Sequence, residues 1–150
     1  MIPVLCDTSP CLLRMKENLD PKLKLYEPIE FVLEFLLDKL KFTPLETKVA
    51  LHVTCSARKM GLDDKLTALA KTCATEVVVP EDIYCCGFAG DRGFNYPELN
   101  ASALEGLKQQ AKGCNAGYST SKTCEIGLSL HADIPYRSIL YLVDAATESL

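Results

Sequence analysis

The sequence lacks the features that define several classes of protein. No apolar run approaches the roughly 18–20 residues that a membrane-spanning helix needs. The formal net charge is −4 and no basic run or patch is visible, which argues against a nucleic-acid partner. The first residues, MIPVLCDTSPC, contain no charged n-region, so we predict no signal peptide. These absences predict an ordinary soluble protein located in the cytoplasm.

Cysteine is abundant by contrast, with 8 residues in a chain of 150. One interpretation is a secreted scaffold held together by disulfides, but such scaffolds are small, rich in loops and poor in core. This chain has long apolar periodic segments, an apolar content of 48% and no export signal. Its length and composition favour one compact domain of a reduced, intracellular protein. In that setting, cysteines at loop positions indicate a metal site, a cluster or redox chemistry.

Short apolar runs alternate with amphipathic helical patterns along the chain. Predicted strands cover residues 2–6, 48–54, 75–81 and 116–120, and the first of them is expected to be buried. Helical patterns cover residues 9–19, 29–40, 97–113 and 121–132, a segment around 62–73, and the end of the chain. Ser9 is the expected N-cap of the first helix. The alternation predicts an α/β fold with a mainly parallel open sheet flanked by helices. No Gly-x-Gly-x-x-Gly sequence follows a strand, so the dinucleotide fingerprint is absent.

A weak internal repeat suggests how the domain is organised. Two segments share a strand, a polar turn, a cysteine at a helix start and a proline that leads into an apolar helix. We therefore predict that residues 1–42 are the last third of one repeat, whose start is missing from this chain. Residues 43–47 are the expected linker, and residues 48–150 are a complete repeat. All 150 residues are expected to pack as one compact domain.

Most of the cysteines are expected at one edge of the sheet. In open α/β sheets, ligands bind beyond the carboxyl ends of the strands. Six cysteines follow a predicted strand or begin the next helix, namely Cys6, Cys11, Cys55, Cys85, Cys86 and Cys124. Cys73 lies on the apolar face of a helix and is interpreted as core, because a free cysteine packs like a small hydrophobe. Cys114 precedes a strand, so we expect it at the opposite edge in a structural role.

Four of these cysteines form the candidate ligand set. They are Cys55, Cys85, Cys86 and Cys124. Four thiolates suit either a tetrahedral zinc ion or an iron–sulfur cluster. Their spacing, C-x29-C-C-x37-C, differs from the paired C-x-x-C pattern of small zinc sites and puts the ligands on three separate loops. Adjacent cysteines bind one zinc ion only with strain, whereas they can serve different irons of one cluster.

Three glycines follow the adjacent cysteines, at Gly87, Gly90 and Gly93. Glycine allows positive φ and close backbone approach, so their N–H groups can surround a bound thiolate or sulfide. The simpler interpretation is a tight loop that needs glycine for its turns alone. A disulfide between Cys85 and Cys86 is a third interpretation, although its strained ring would be easily reduced.

Three sequence segments carry a resemblance to a known family. HVTCSARKMG, CCGFAGDRGFNYPELNASAL and STSKTCEIGLS resemble the cysteine-rich CCG domain. That domain occurs in the cysteine-rich subunit of heterodisulfide reductase and in the iron–sulfur subunit of glycolate oxidase. It also occurs at the C-terminus of FAD-linked oxidases, and the segments are most similar to this last group, which includes the D-lactate dehydrogenases. The resemblance covers nearly the whole chain.

The resemblance implies an electron-transfer domain of a D-2-hydroxy acid dehydrogenase that uses FAD and iron–sulfur centres. It implies two tandem repeats, with Cys11 in the preceding repeat as an additional candidate ligand. The implied partners are an FAD-binding domain or subunit and a ferredoxin-like iron–sulfur domain. The implied location is the cytoplasm, with peripheral association on the inner face of the membrane. No FAD-binding segment is present in these residues, so we do not expect this chain to oxidise lactate alone.

The sequence departs from the heterodisulfide reductase pattern at Gly127, where those repeats carry a further cysteine. This departure argues against a five-thiolate cluster and leaves a [4Fe–4S] cluster or a zinc ion. The main functional hypothesis is therefore iron–sulfur electron transfer in a D-lactate dehydrogenase. The alternatives are a zinc-binding docking domain of an oxidoreductase complex and a CCG subunit of a glycolate oxidase or heterodisulfide reductase-like complex. A weaker alternative is thiol–disulfide chemistry at Cys85 and Cys86.

Overall fold

The strands show how far the predicted alternation holds. The structure, a computed structural model, describes residues 2–149 of the chain. In this range the strands are β1 Val4–Leu5, β2 Leu25–Tyr26, β3 Leu40–Phe42, β4 Leu45–Leu51, β5 Ala74–Val78, β6 Ala116–Ser119, β7 Tyr136–Ser138 and β8 Thr147–Ser149. β4, β5 and β6 fall on predicted strands.

The helices alternate with these strands. They are α1 Ser9–Asn18, α2 Pro28–Phe31, α3 Cys55–Lys59, α4 Asp63–Cys73, α5 Pro97–Ala103, α6 Leu107–Gln110, α7 Lys122–Ala132 and α8 Ile139–Ala145. A π-helical turn at Val32–Leu36 continues α2, and a 3-10 turn at Arg92–Phe94 precedes α5.

The central sheet has four strands in the order β5-β4-β6-β7, and every neighbouring pair is parallel. Val49 of β4 pairs with Val77 on one side and with Ala116 on the other. Successive β4 residues point to opposite faces, so Val49 and Leu51 join one hydrophobic core and Ala50 joins a second. Helices flank the sheet, as the alternating pattern predicts, and the α/β fold class is confirmed.

Two small sheets stand apart from the central one. β1 pairs with β2 in parallel, and β3 pairs with β8 antiparallel. The prediction of a buried strand at residues 2–6 is wrong, because Val4 and Leu5 are exposed. The reason is that β1 has only β2 as a neighbour in the described residues and is not covered on its faces by helices in the way that β4 is.

Three helical or linker predictions need correction. The apolar pattern at residues 29–40 extends past the helix, because Leu40 belongs to β3. The predicted helix 97–113 is two helices, since Gly106 adopts φ +82° and ends the regular backbone between α5 and α6. Residues 43–47 include the start of β4, which begins at Leu45.

The N-cap of α1 also differs from the prediction. Thr8 occupies that position, and Ser9 is the first helical residue. The Ser9 hydroxyl turns instead toward Glu27 and Thr120. The hydroxyl that the local sequence assigns to the helix cap is therefore bonded to side chains from distant segments. Among the described residues, no helix is both long and apolar enough to cross a lipid bilayer.

Candidate metal centre

Five cysteines line one cavity beyond the carboxyl ends of the parallel strands. The cavity has a volume of about 320 Å³. Its lining residues are Thr8, Pro10, Cys11, Cys55, Cys85, Cys86, Ala89, Gly90, Ser121, Thr123 and Cys124. They come from the segments after β1, β4, β5 and β6, which is the edge where ligands of open α/β sheets bind. All four predicted ligands and the additional candidate Cys11 thus lie around one space.

Three of the cysteines are placed by helix starts. Cys55 is the first residue of α3, where the Thr54 hydroxyl caps the helix by accepting from the Ala57 N–H at 3.2 Å. Cys124 is the third residue of α7, and Cys11 is the third residue of α1. These helix starts follow β4, β6 and β1, and they bring the three cysteines to the same cavity.

Gly87 is required by the backbone of the adjacent-cysteine loop. It has φ +71°, and a Cβ there would meet the Leu99 carbonyl and lie 2.9 Å from Asn100 Cα. The Gly87 N–H donates to Cys85 Sγ at 3.3 Å, the kind of contact expected from amides around a thiolate. Gly90 also has a positive φ, of +77°.

Gly93 does not share this conformation. It is not among the residues with positive φ, and its N–H donates to the Phe88 carbonyl at 2.9 Å. A Cβ at Gly93 would lie 2.6 Å from Phe88 Cδ2. Gly93 is therefore explained by close packing on the buried Phe88 ring, and the prediction that it supplies a positive-φ turn is wrong.

The closest cysteines are not the adjacent ones. Cys86 Sγ lies 2.9 Å from Cys124 Sγ, and both residues are buried. The hydrogen bond with Cys124 lowers the pKa of Cys86 to about 7, and the N–H groups of Phe88 and Cys86 act in the same direction. The same contact, with burial, raises the pKa of Cys124. The contact thus favours the thiolate form of Cys86 over that of Cys124.

Cys85 and Cys55 are exposed at the mouth of the cavity. Burial of its sulfur raises the pKa of Cys85, and the nearby thiols of Cys86 and Cys55 raise it further, whereas the Gly87 N–H lowers it. The Cys55 charge also raises the pKa of Cys124. The four sulfur groups are therefore near enough to influence one another. All eight cysteines are free, so Cys85 and Cys86 do not form the disulfide considered above.

The sulfurs are nevertheless spread around the cavity. In the described part of the chain, no three His, Cys, Asp or Glu side chains lie close enough together to hold one metal ion. Thiolates that ligate a cluster attach to separate irons, whereas the four ligands of a zinc ion surround a single atom. The all-thiolate donor set of the cavity is of the kind that iron–sulfur groups use.

The position of the missing fifth cysteine is filled by packing. Gly127 lies in α7, and a Cβ there would be 2.5 Å from Asn100 Nδ2 and 2.8 Å from Phe88 Cδ2. The Asn100 amide is buried and donates to the Cys86 carbonyl. Gly127 therefore allows α7 to approach the loop that carries Cys86, and a side chain at this position would displace Asn100 or Phe88.

The remaining cysteines lie elsewhere. Cys73 is buried in one hydrophobic core, as predicted, and Cys114 is buried in the other, outside the cavity. Cys6 does not line the cavity, and its thiol donates to the Thr8 carbonyl at 3.7 Å. Cys6 therefore follows the end of β1, as predicted, but it is not part of the cavity lining.

Sequence reasoning missed two residues that contact the cysteine pair. Asn100 bonds the Cys86 backbone, and a hydrogen bond from Ser121 lowers the pKa of Cys124. Asn100 offered one signal, since a polar side chain at the buried face of an amphipathic helix needs a partner. Ser121 precedes α7 and gave no signal beyond its place next to the cysteine helix.

The fold and the cavity define an α/β domain that gathers cysteines beyond the carboxyl ends of a parallel sheet. The family model described as the cysteine-rich domain CCG matches residues 49–129, more than half of the chain, and the chain belongs to this family. Family membership makes the domain an iron–sulfur or metal-binding domain of the electron-transfer kind. No curated protein and no solved structure gives a significant match to the chain.

Proposed function

We propose that this chain is the iron–sulfur electron-transfer domain of a D-2-hydroxy acid dehydrogenase that uses FAD, with D-lactate as the substrate of the whole enzyme. The cavity lined by five cysteines carries this proposal. Cys55, Cys85, Cys86 and Cys124 would hold the cluster, and Cys11 is the additional candidate. The cluster would supply one-electron oxidation and reduction at this site.

A [4Fe–4S] cluster is favoured over zinc by the adjacent pair Cys85 and Cys86 in the cavity lining. Adjacent cysteines bind one zinc ion only with strain, whereas they can serve different irons of one cluster. Amide donors also tune cluster potentials through N–H···S contacts. The Gly87 N–H at Cys85 Sγ and the Phe88 N–H near Cys86 are donors of this kind.

Reconstitution tests the cofactor directly. The protein is purified without oxygen, incubated with ferrous iron and sulfide, and assayed for iron, acid-labile sulfide and visible absorption. We expect iron and sulfide in equal amounts, and their loss in Cys86→Ser and Cys124→Ser. Cys6→Ser is the matched control, because Cys6 lies outside the cavity. One zinc ion without sulfide after aerobic purification would instead support the docking-domain alternative.

The substrate and the partners are tested with the rest of the enzyme. An FAD-binding domain and a ferredoxin-like domain are the proposed neighbours in the electron path. The cluster-loaded chain is mixed with the flavoprotein encoded beside it or fused to it, and cluster bleaching is followed after addition of D-lactate, L-lactate or glycolate. Reduction by D-lactate alone supports the proposal, whereas reduction by glycolate alone moves the assignment to the glycolate oxidase group.

The first part of the chain is proposed to be the end of a preceding CCG repeat. The order β1-α1-β2-α2 is the same as the order β6-α7-β7-α8, and in both units the two strands pair in parallel. Cys11 and Cys124 occupy the third residue of the equivalent helices. These equivalences support a division into residues 1–42, a short connection, and a complete repeat that extends to residue 150.

A further inference from the structure

A chain of buried hydroxyl groups runs behind the wall of the cysteine cavity. Ser9 Oγ lies 3.0 Å from Glu27 Oε1 and 2.8 Å from Thr120 Oγ1. Thr120 Oγ1 lies 3.1 Å from Thr54 Oγ1, which lies 3.2 Å from Ser56 Oγ. All five residues are buried, and Glu27 is fully inaccessible to solvent. The segments after β1, β4 and β6 thus meet through their side-chain oxygens.

Each hydroxyl has one hydrogen, so the chain has two consistent directions. With Glu27 ionised, Ser9 donates to the carboxylate, Thr120 to Ser9, Thr54 to Thr120 and Ser56 to Thr54. With Glu27 protonated, the carboxyl group donates to Ser9 and every later bond reverses. In both directions each oxygen keeps at least one hydrogen-bond partner within the chain. The Ala57 N–H donates to Thr54 Oγ1 in addition, at 3.2 Å. The proton on Glu27 therefore determines how the last hydroxyl, at Ser56, is oriented.

The charged groups around Glu27 do not determine whether its carboxyl group is ionised. Its second oxygen accepts from the Ile29 N–H at 2.8 Å. Glu30 of the same turn raises its pKa and Lys16 of α1 lowers it, but these two groups pair with each other at 3.1 Å. The Ser9 hydroxyl of α1 contacts the Glu27 carboxyl group directly, and the Thr120 hydroxyl lies beyond it. Burial is the dominant influence and raises the pKa of Glu27 to about 7, near the middle of the physiological range.

The hydroxyl chain is placed to sense charge in the cavity. Cys55 stands between Thr54 and Ser56, and Ser121 follows Thr120. Thr8 and Pro10, which flank Ser9, line the same cavity. No member of the chain is itself a candidate ligand. Each of its four hydroxyl residues is adjacent in sequence to a residue that lines the cavity, so the backbone connects the hydroxyl chain directly to the lining.

We propose that Glu27 takes up one proton when the group held by the cavity cysteines gains one electron, and that the hydroxyl chain reverses as it does so. This inference rests on the proposed electron-transfer function. The electron comes from a one-electron reductant, the proton comes from solvent, and the Glu27 carboxylate becomes a carboxylic acid. The negative charge that the electron adds is offset by the negative charge that Glu27 loses on protonation. The dipoles of the four hydroxyls turn in response.

The dependence of the midpoint potential on pH tests the proposal in the reconstituted protein. In the wild type we expect a potential that is constant below pH 6 and falls above pH 7. A tenfold drop in proton concentration lowers the potential of a fully coupled one-electron couple by about 59 mV. Glu27→Gln should remove this fall. Glu34→Gln, which changes an exposed carboxylate on the neighbouring helical turn, should keep it.

Infrared difference spectra of the wild type provide a measurement that needs no variant. Reduction should produce a protonated-carboxyl band that shifts with 13C-labelled glutamate. Thr120→Val keeps the shape of the side chain and interrupts the hydroxyl chain. The midpoint potential of this variant should therefore fall less steeply as the pH rises. A cluster whose potential has the same pH dependence in wild type and Glu27→Gln overturns this inference alone. A protein that binds no iron and sulfide overturns the proposed function, and the inference with it.

Discussion

Cys86 Sγ lies 2.9 Å from Cys124 Sγ, although the two residues are 38 positions apart in the sequence. The contact joins the loop after β5 to the start of α7, and it lowers the pKa of Cys86 while it raises that of Cys124. The adjacent residue Cys85 takes a different role at the mouth of the cavity, where the Gly87 N–H meets its sulfur. The closest of these sulfurs thus meet across the sheet edge and are not neighbours along the chain.

Substitution of single cysteines should separate ligands from bystanders. Cys86→Ser and Cys124→Ser should lower metal or cluster affinity by more than the roughly 10–100-fold that is typical when a group behind the ligands is lost. Cys11→Ser should also lower it, because Cys11 lines the same cavity. The measurement is iron and sulfide content after gel filtration. Retention of the full content by Cys124→Ser would contradict the ligand assignment, and Cys6→Ser provides the baseline.

Introducing a side chain at Gly127 should destabilise the fold. Gly127→Ala and Gly127→Cys both place a Cβ against Asn100 and Phe88, and overpacking of this kind costs about 1–3 kcal/mol. Urea unfolding measures the loss in the free energy of unfolding. Leu130→Ala on the same helix is the control, because Leu130 is 70% exposed and its loss should change little. An unchanged unfolding midpoint for Gly127→Cys would show that the site tolerates a fifth thiol.

His52 should remain neutral well below its usual range. Burial, followed by the charge of Arg58, lowers the pKa of His52 to about 4. The unfolded chain takes up this proton near pH 6.5, so stability is present above that pH and is lost as pH falls toward 4. The loss between pH 7 and pH 5 is about 2 kcal/mol from this residue alone.

Nuclear magnetic resonance of the imidazole nitrogens tests the His52 prediction. The resonances should show a neutral ring from pH 8 down to pH 5, with Nδ1 beside Ser119 Oγ at 3.2 Å. His131, a partly exposed residue of α7, serves as the internal reference in the same spectra. Protonation of His52 near pH 6.5 in the folded protein would contradict the prediction.

Glu27 should affect stability with the opposite sign. Its pKa in the folded protein, about 7, lies above the ordinary value of 4.5, so its contribution is complete at low pH and is lost as pH rises through 7. The difference corresponds to about 3 kcal/mol. Glu27→Gln should therefore unfold with a free energy that is less sensitive to pH between 4.5 and 7. Guanidine unfolding at three pH values measures this, and identical pH profiles for the two proteins would contradict it.

The cysteine positions at the sheet edge could be predicted because each follows an apolar run. Parallel strands bring their carboxyl ends to the same edge of the sheet. Cys55, Cys86 and Cys124 are therefore expected at this edge whatever the order of the strands. What the spacing could not predict is which two sulfurs touch. That depends on the exact approach of α7 to the loop after β5, which Gly127 permits and Asn100 holds in place.

Other predictions failed where a distant partner competes with local sequence. Serine is a preferred residue at the N-cap of a helix, yet the Ser9 hydroxyl is bonded to Thr120 and Glu27 instead. Leu40 continues a helical apolar pattern, yet it pairs with Ser149 in the antiparallel sheet of β3 and β8. Periodicity records which face of a segment is apolar, and it does not record whether a strand from elsewhere offers hydrogen bonds to the backbone.

The sequence by itself determined the α/β alternation, the parallel strands and the edge at which cysteines gather, because these depend on short-range apolar periodicity and on the handedness of βαβ units. The tertiary structure decided the contacts between loops that are far apart in the chain. It selected Cys86 and Cys124 as the closest sulfurs, placed Gly93 against Phe88, and buried Glu27 behind a line of hydroxyls. Such contacts depend on side-chain packing across the edge of the sheet, where a shift of about one ångström changes which atoms meet.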